Sequence, residues 1–316
     1  MFYKDEWTKQ SNLTAGSIDV IIIGGSFAGL SAALYLARAR RSVLVLDSRE
    51  PRNRYSSHSH GVFALDGKPG SELLEVGRAQ LAKYPTATLL QLKVTRITKE
   101  SNLFHVETED KQHFQSRKLI LATGLIDERP DLPGLEERWG KTIFHCPYCD
   151  GYEIGGGSIG VIATLPVLSV HFAKLLTDWG NVTFFVSDAI KLDNASRNSL
   201  AKKGVSIEEH KITRLEGLVG GPVQVVLGDG TKIEVKSIFI VTKFRMASPF
   251  AKELGCALIS SPRGEIVQTD EWKLTTVNGV YAAGDISRMT HSISFATADG
   301  AIAGVGAHQS LVAEED

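Results

Sequence analysis

Cysteine is scarce in this sequence, with three among 316 residues. Three cannot build a disulfide framework, so the fold has to rest on a packed core. An excess of one charge is also missing. Lys and Arg number 35, Asp and Glu 36, and the formal net charge is −1. That balance gives no reason to expect nucleic acid or an anionic membrane surface as a partner. No apolar run reaches the roughly 18 residues that a membrane span needs. Residues 1–17 are polar and lack the apolar core of a signal peptide, so a cytoplasmic location is expected. There is no low-complexity segment and no exact repeat. What is present is ordinary for a soluble globular chain: 43% hydrophobic residues, 22% charged and 30 Gly. At about 150 residues per domain, the length suits about two domains.

Strand and helix patterns alternate. Asp19–Gly24 (DVIIIG) is a short apolar run, β-branched and ending in Gly, and its length suits a strand buried on both faces. A helix is predicted over Gly29–Arg40 and a strand over Arg41–Asp47. A polar loop then runs from Ser48 to Gly61. Glu72–Tyr84 reads as a helix, and Thr88–Thr98, Leu103–Thr108 and Lys118–Gly124 as strands. The plan then recurs. Ser158–Ala163 is a strand, Val167–Trp179 a helix and Asn181–Ser187 a strand. Further strands are expected at Gly204–Glu208, Gln224–Leu227 and Ser237–Thr242. Gly279–Asp285 leads into a last helix over Ser292–Val312. The fold class expected is α/β, with two doubly wound, Rossmann-like dinucleotide-binding domains. The second is inserted in the first, because the carboxyl-terminal strand and helix need a sheet to join. The boundaries expected are 1–125 with 244–316, and 126–243.

The first strand runs into Gly24-Gly25-Ser26-Phe27-Ala28-Gly29, a dinucleotide fingerprint with Ser in place of its second glycine. Gly24 permits the tight turn, and Gly29 permits close helix–strand packing. Ser26 is small enough to keep a pyrophosphate within reach of the backbone. The diphosphate would sit at the helix N-terminus near Phe27. Asp47 follows Gly24 by 23 residues, close to the spacing of about 20 expected of a ribose-binding acid. This stretch alone suits NAD or FAD. An ordinary βα turn is the rival reading, and the strand before, the helix after and the acid at that distance together weigh against it.

The chemical centre is His145-Cys146-Pro147-Tyr148-Cys149-Asp150-Gly151-Tyr152. Two thiols with two residues between them close a disulfide with little rearrangement, and a thiolate from the pair can attack another disulfide. Asp150 is placed to move a proton to or from a leaving thiolate. Half of a zinc site is the rival reading, but no second cysteine pair exists. Cys256, within Leu254–Leu258, reads as a small buried hydrophobe. The histidines are too scattered for a metal set.

Ala122-Thr123-Gly124 closes a buried strand, and Tyr281-Ala282-Ala283-Gly284-Asp285 precedes the last helix. With the first glycine turn and Cys-x-x-Cys-Asp-Gly, these segments stand in the order of the low-molecular-weight thioredoxin reductases. The chain resembles that family from Ile18 to about Ala307. The resemblance implies a flavoprotein that holds FAD and carries a redox-active disulfide. In it Cys149 is the thiol beside the flavin, Cys146 the outer thiol that meets a partner disulfide, and Asp150 the acid/base. It also implies a homodimer built through the FAD domain and a thioredoxin-like protein, or a small dithiol or disulfide, as partner. FAD contacts are expected from Gly24, Gly25, Ser26, Phe27, Ala28, Gly29, Asp47, Arg52, Asn53, His60, Val94, Thr123, Gly124, Gly284, Asp285, His291 and Ser292. His291-Ser292 stands near where the family often has Arg-Gln.

The sequence departs from the family at the second glycine turn, which in the family binds NADPH. Here Ser158–Ile162 enters Ala163-Thr164-Leu165-Pro166-Val167-Leu168, and all three glycine places are lost. Gly155-Gly156-Gly157 precedes the strand and cannot form a turn at its carboxyl end. Asp188 follows the next strand where a basic cluster would meet a 2′-phosphate. NADPH is therefore expected not to bind well. Electrons would come from a non-nicotinamide donor, such as a low-potential ferredoxin. A loosely bound nicotinamide remains the rival reading of this turn. For the emptied cleft, closure by side chains is preferred over a second flavin. Two functional alternatives stay open: an FAD-dependent dithiol oxidase that reduces oxygen, and a non-catalytic flavin redox sensor.

Overall fold

The structure is a computed structural model that describes residues 18–315. The reading of residues 1–17 lies outside that range. The described chain forms two compact units. One takes the chain up to Arg54, Ser71–Ile126 and everything from Phe244 onward; the other takes Tyr55–Gly70 and Asp127–Lys243.

The first unit is built on a seven-stranded sheet. Its order is Ala87–Leu90, Val43–Leu46, Ile18–Ile23, His113–Leu121, Leu103–Thr108 and Val94–Glu100. The carboxyl-terminal strand Val280–Ala282 pairs parallel with the end of His113–Leu121. Ile18–Ile23 lies at the centre, parallel to both neighbours. Its side chains alternate between two cores: Val20 and Ile22 enter one, Ile21 and Ile23 the other. Both faces need apolar residues, which is why this strand reads as a continuous apolar run.

The helix Phe27–Arg38 covers one face together with the last helix, Ile293–Ala313. Their contact is made by small residues. A Cβ at Gly300 would collide with the Ala28 carbonyl, and one at Gly304 would come within 2.8 Å of the Ala32 carbonyl. The helices therefore approach backbone to backbone. The strand expected over Thr88–Thr98 is two strands. Asp47 N–H donates to the Leu90 carbonyl at 3.0 Å, and Leu92 N–H donates to the same oxygen at 3.1 Å. The chain turns there, leaves the parallel ladder and re-enters antiparallel at Val94.

The second unit has a five-stranded parallel sheet, ordered Ser206–Glu208, Asn181–Phe185, Ser158–Ile162, Ser237–Ile240 and Ile143–Phe144. The helix Pro166–Leu175 packs on one face, and the antiparallel meander Ile212–Glu216, Val223–Leu227 and Lys232–Val235 builds a second core. Tyr55–Gly70 belongs to this unit. Tyr55 packs on the core of the meander, Arg129 lies over its ring at 5.1 Å, and Gly140 leaves room for its backbone. Ser59 and Lys68 close the segment as an antiparallel bridge.

Candidate functional site: a dithiol and two nucleotide turns

Cys146 and Cys149 form a disulfide in the second unit. Cys146 is the extended N-cap of the one-turn helix Pro147–Asp150, with Pro147 at its first position. Proline costs nothing there, since its missing N–H has no helical partner to lose. The amides of Cys149 and Asp150 both donate to the Cys146 carbonyl at 3.3 Å, which sets the two sulfurs on one side of the turn. Both cysteines are half-buried, whereas Tyr148 and Tyr152 stand exposed on either side.

Asp150 is pushed up to about 7, first by burial and then by the negative charge of Glu153, with His60 opposing. A carboxyl in that range is a proton carrier at neutral pH. His60 Nε2 lies 3.4 Å from Glu153 Oε1, and its Nδ1 lies 3.6 Å from Asp66 Oδ2. The structure thus puts His60, expected among the FAD contacts, in the second unit beside this acidic pair. His145 stacks on Trp139 at 5.8 Å. Among the described residues no three His, Cys, Asp or Glu side chains form a metal-binding group. Cys256 is buried, with its sulfur 3.5 Å from Thr275 Oγ1.

The first nucleotide turn lies wholly in the first unit. Gly24 adopts φ +105°, and its N–H donates to the Leu46 carbonyl at 2.8 Å. A Cβ at Gly29 would collide with the Gly24 carbonyl, so helix and turn can meet only with glycine there. Gly25 sits against Asp47: an added Cβ would lie 2.9 Å from its Oδ2. Ser26 caps the helix without a side-chain hydrogen bond, and the first turn, which begins Phe27-Ala28, carries no acid. The Thr123 hydroxyl is buried and has no hydrogen-bond partner in the protein. Gly124 adopts φ +70° beside it. Gly284 packs against Ala28, which brings Asp285 to the same turn. An orphaned buried hydroxyl and an uncapped, acid-free helix start suit a dinucleotide diphosphate.

Arg52 and His291 join this group. Arg52 Nη1 lies 2.8 Å from Asp285 Oδ2 and 2.8 Å from His291 Nδ1. Ser292 caps the last helix by accepting from Phe295 N–H at 3.1 Å. Asn53 is half-buried next to Arg52, and Val94 is packed in the sheet core. Sequence reasoning missed Arg78. This buried arginine reaches Asp47 Oδ2 at 3.5 Å from the helix Gly70–Leu81. Nothing in its local pattern marks it, because an arginine in an amphipathic helix normally faces water.

The second turn has the same frame and different chemistry. Ala163 N–H donates to the Phe185 carbonyl at 3.0 Å, as a parallel strand end should. The next two amides, Thr164 and Leu165, both donate to Ser169 Oγ at 3.1 Å. Ser169 is fully buried on the following helix. Thr164 Oγ1 donates to the Val241 carbonyl at 2.6 Å, and Leu165 is buried. Pro166 removes a further N–H from the helix start. Two of the amides that would face a diphosphate are thus satisfied from within.

Residues 18–302 match the family model described as pyridine nucleotide-disulphide oxidoreductase. Thioredoxin reductase tcpT of Claviceps purpurea is 33% identical, over 95% of this chain and 96% of its own length. Thioredoxin reductase aclD of Aspergillus oryzae is also 33% identical, over 96% and 99%. Among solved structures, an oxidoreductase from Agrobacterium tumefaciens is 42% identical with a TM-score of 0.90, covering 94% of this chain and 99% of that one. The crystal structure of HlmI is 34% identical with a TM-score of 0.90, covering 96% of this chain and 95% of that one.

Proposed function

This chain belongs to the pyridine nucleotide-disulphide oxidoreductase family, and from that premise we propose that it is an FAD-dependent thiol–disulfide oxidoreductase that does not use NADPH. NADPH independence rests on Ser169 Oγ, which accepts from the Thr164 and Leu165 amides. A diphosphate would have to displace a buried bond pair to reach them. Opening them costs about 1–3 kcal/mol of desolvation before any contact is gained.

In this reading Gly24–Gly29, Asp47, Thr123 and Asp285 hold FAD, which when bound supplies the two-electron chemistry that opens and closes the Cys146–Cys149 bond. The protein's own residues do the rest. With the pair reduced, Cys146 attacks one sulfur of a partner disulfide as thiolate, and the other partner sulfur leaves. Cys149 then attacks Cys146, the Cys146–Cys149 disulfide re-forms, and the second partner sulfur leaves. Asp150, protonated near neutrality, gives its proton to a leaving thiolate. A thioredoxin-like disulfide is the partner proposed. At roughly −270 mV such a partner lies above a low-potential iron–sulfur donor near −400 mV, so electron flow from a ferredoxin would be downhill. A homodimer and a cytoplasmic location complete the proposal.

The closed turn favours a second reading equally, since a dithiol oxidase also needs no nicotinamide. There a dithiol loses two electrons and two protons to oxygen, giving a disulfide and hydrogen peroxide. Anaerobic titration of the purified yellow protein with NADPH, reduced ferredoxin and a dithiol in turn separates these. Bleaching by ferredoxin supports the first reading. Bleaching by dithiol alone, with peroxide on admitting air, supports the second. Rapid bleaching by NADPH would refute both.

A further inference from the structure

His291 sits between two groups that each dictate its protonation. Its Nε2 lies 2.9 Å from the Arg288 carbonyl oxygen, which can only accept. Its Nδ1 lies 2.8 Å from Arg52 Nη1, and a guanidinium can only donate. Both contacts require the neutral ring with hydrogen on Nε2 and a lone pair on Nδ1. The same Arg52 nitrogen reaches Asp285 Oδ2 at 2.8 Å. The imidazole lone pair therefore aims the guanidinium at Asp285.

The carbonyl that fixes the ring is itself anchored. Arg288 is bidentate on Asp299, through Nε at 2.6 Å and Nη2 at 2.7 Å. Asp299 is fully buried in the last helix and also takes Lys273 Nζ at 2.7 Å. Around His291 stand Asp285 from its 3-10 turn, Arg52 from the turn Arg52–Tyr55, and Arg263 from the turn between Leu258–Ser261 and Gly264–Val267. Phe244 presents its ring at 5.5 Å, in edge contact. Two guanidinium groups against one carboxylate leave little welcome for a third cation. Burial, and then Arg52 and Arg263, pull the ring below its ordinary range, with Asp285 and the Arg288 carbonyl opposing.

We propose that His291 is a positioning residue, one that as the neutral Nε2–H tautomer holds Arg52 on Asp285, and that a proton on Nδ1 sets donor against donor, releases Arg52 and loosens the flavin. This rests on the FAD reading above. The role is invisible in a static inventory of contacts, because it depends on which ring nitrogen carries the hydrogen.

The test uses the full chain stripped of flavin. ¹⁵N spectra of histidine-labelled protein, assigned with His291→Gln, report the tautomer without any cofactor. FAD is then titrated by flavin fluorescence from about pH 8 to about pH 5. The unsubstituted chain should lose about tenfold in affinity across that range, roughly 1.4 kcal/mol. His291→Gln should bind well and show a flat profile, because a glutamine amide can accept from Arg52 and donate to the Arg288 carbonyl without titrating. His291→Ala should bind about tenfold more weakly at all pH values. A hydrogen found on Nδ1 at neutral pH, or a His291→Gln profile as steep as the parent's, would overturn the proposal. A chain that takes up no FAD at any pH would bring down the flavin reading and the pH claim together, while the ¹⁵N spectrum would still decide the tautomer.

Discussion

The two nucleotide turns share a frame and differ in who satisfies the backbone. At Gly24–Gly29 the helix start is uncapped, the neighbouring Thr123 hydroxyl has no partner, and side chains are excluded by contact with the turn itself. At Ala163–Leu168 a serine one turn into the helix takes two amides at once, and Leu165 fills the space. A βαβ unit thus fixes where amides point, while one side chain decides whether they stay available. Loss of glycine alone would not close a site. Closure needs an acceptor supplied from inside.

Several substitutions would break or sharpen that contrast. Gly29→Val should have the largest effect, since its Cβ collides with the Gly24 carbonyl. Flavin content should fall to near zero and stability by at least about 3 kcal/mol, read by absorbance and thermal unfolding. Asp47→Ala should weaken FAD by roughly 1.5–3 kcal/mol, about ten- to a hundredfold in Kd, because a buried charged acceptor is lost. Normal affinity in that variant would remove the ribose role from Asp47. Ser169→Ala leaves two buried amides unpaired and should cost about 1–3 kcal/mol of stability with flavin content unchanged. If it cost nothing, the amides would not depend on the serine, and the contrast between the turns would fail.

A further effect concerns pH. Asp150 stands at about 7 when folded, against about 4 for a free aspartate. The folded chain then holds a proton that the unfolded chain has released, so this group lowers stability as pH rises from about 4 to about 7, with no further change above. Asp150→Asn should flatten that slope in unfolding curves. Glu153→Gln should move the transition downward, since it removes the repelling charge.

What could be read from the chain itself divides along sequence separation. The Ile18–Ile23 strand and the glycine turn are local, and the excluded volume that demands Gly29 comes from five residues away. The Cys-x-x-Cys pair is likewise self-contained. The break at Leu90 was not visible, because an unbroken β-rich stretch gives no sign that Asp47 will take its carbonyl. His60 with Glu153, Arg78 with Asp47, and Arg52 with Asp285 all join residues from distant segments. Ser169 was within reach of the turn in sequence, yet a serine in a helix usually bonds its own backbone or water, and only the buried geometry shows otherwise.

The partnership of the helix Phe27–Arg38 with the last helix has a consequence in time. Their backbones meet through alanine and glycine, so the small-residue face of the first helix has nothing to pack on until the last helix arrives. During synthesis it emerges with its strand long before Ile293–Ala313 exists. At about 5–20 residues per second, the intervening chain takes on the order of tens of seconds to appear. For that interval the central strand has one face without its final cover. The second unit, complete once Lys243 is made, has time to settle first. The chain is thus built so that its middle is finished before its beginning, and the nucleotide turn at Gly24–Gly29 gains its packing against Gly284 and the last helix only once those late segments have been made.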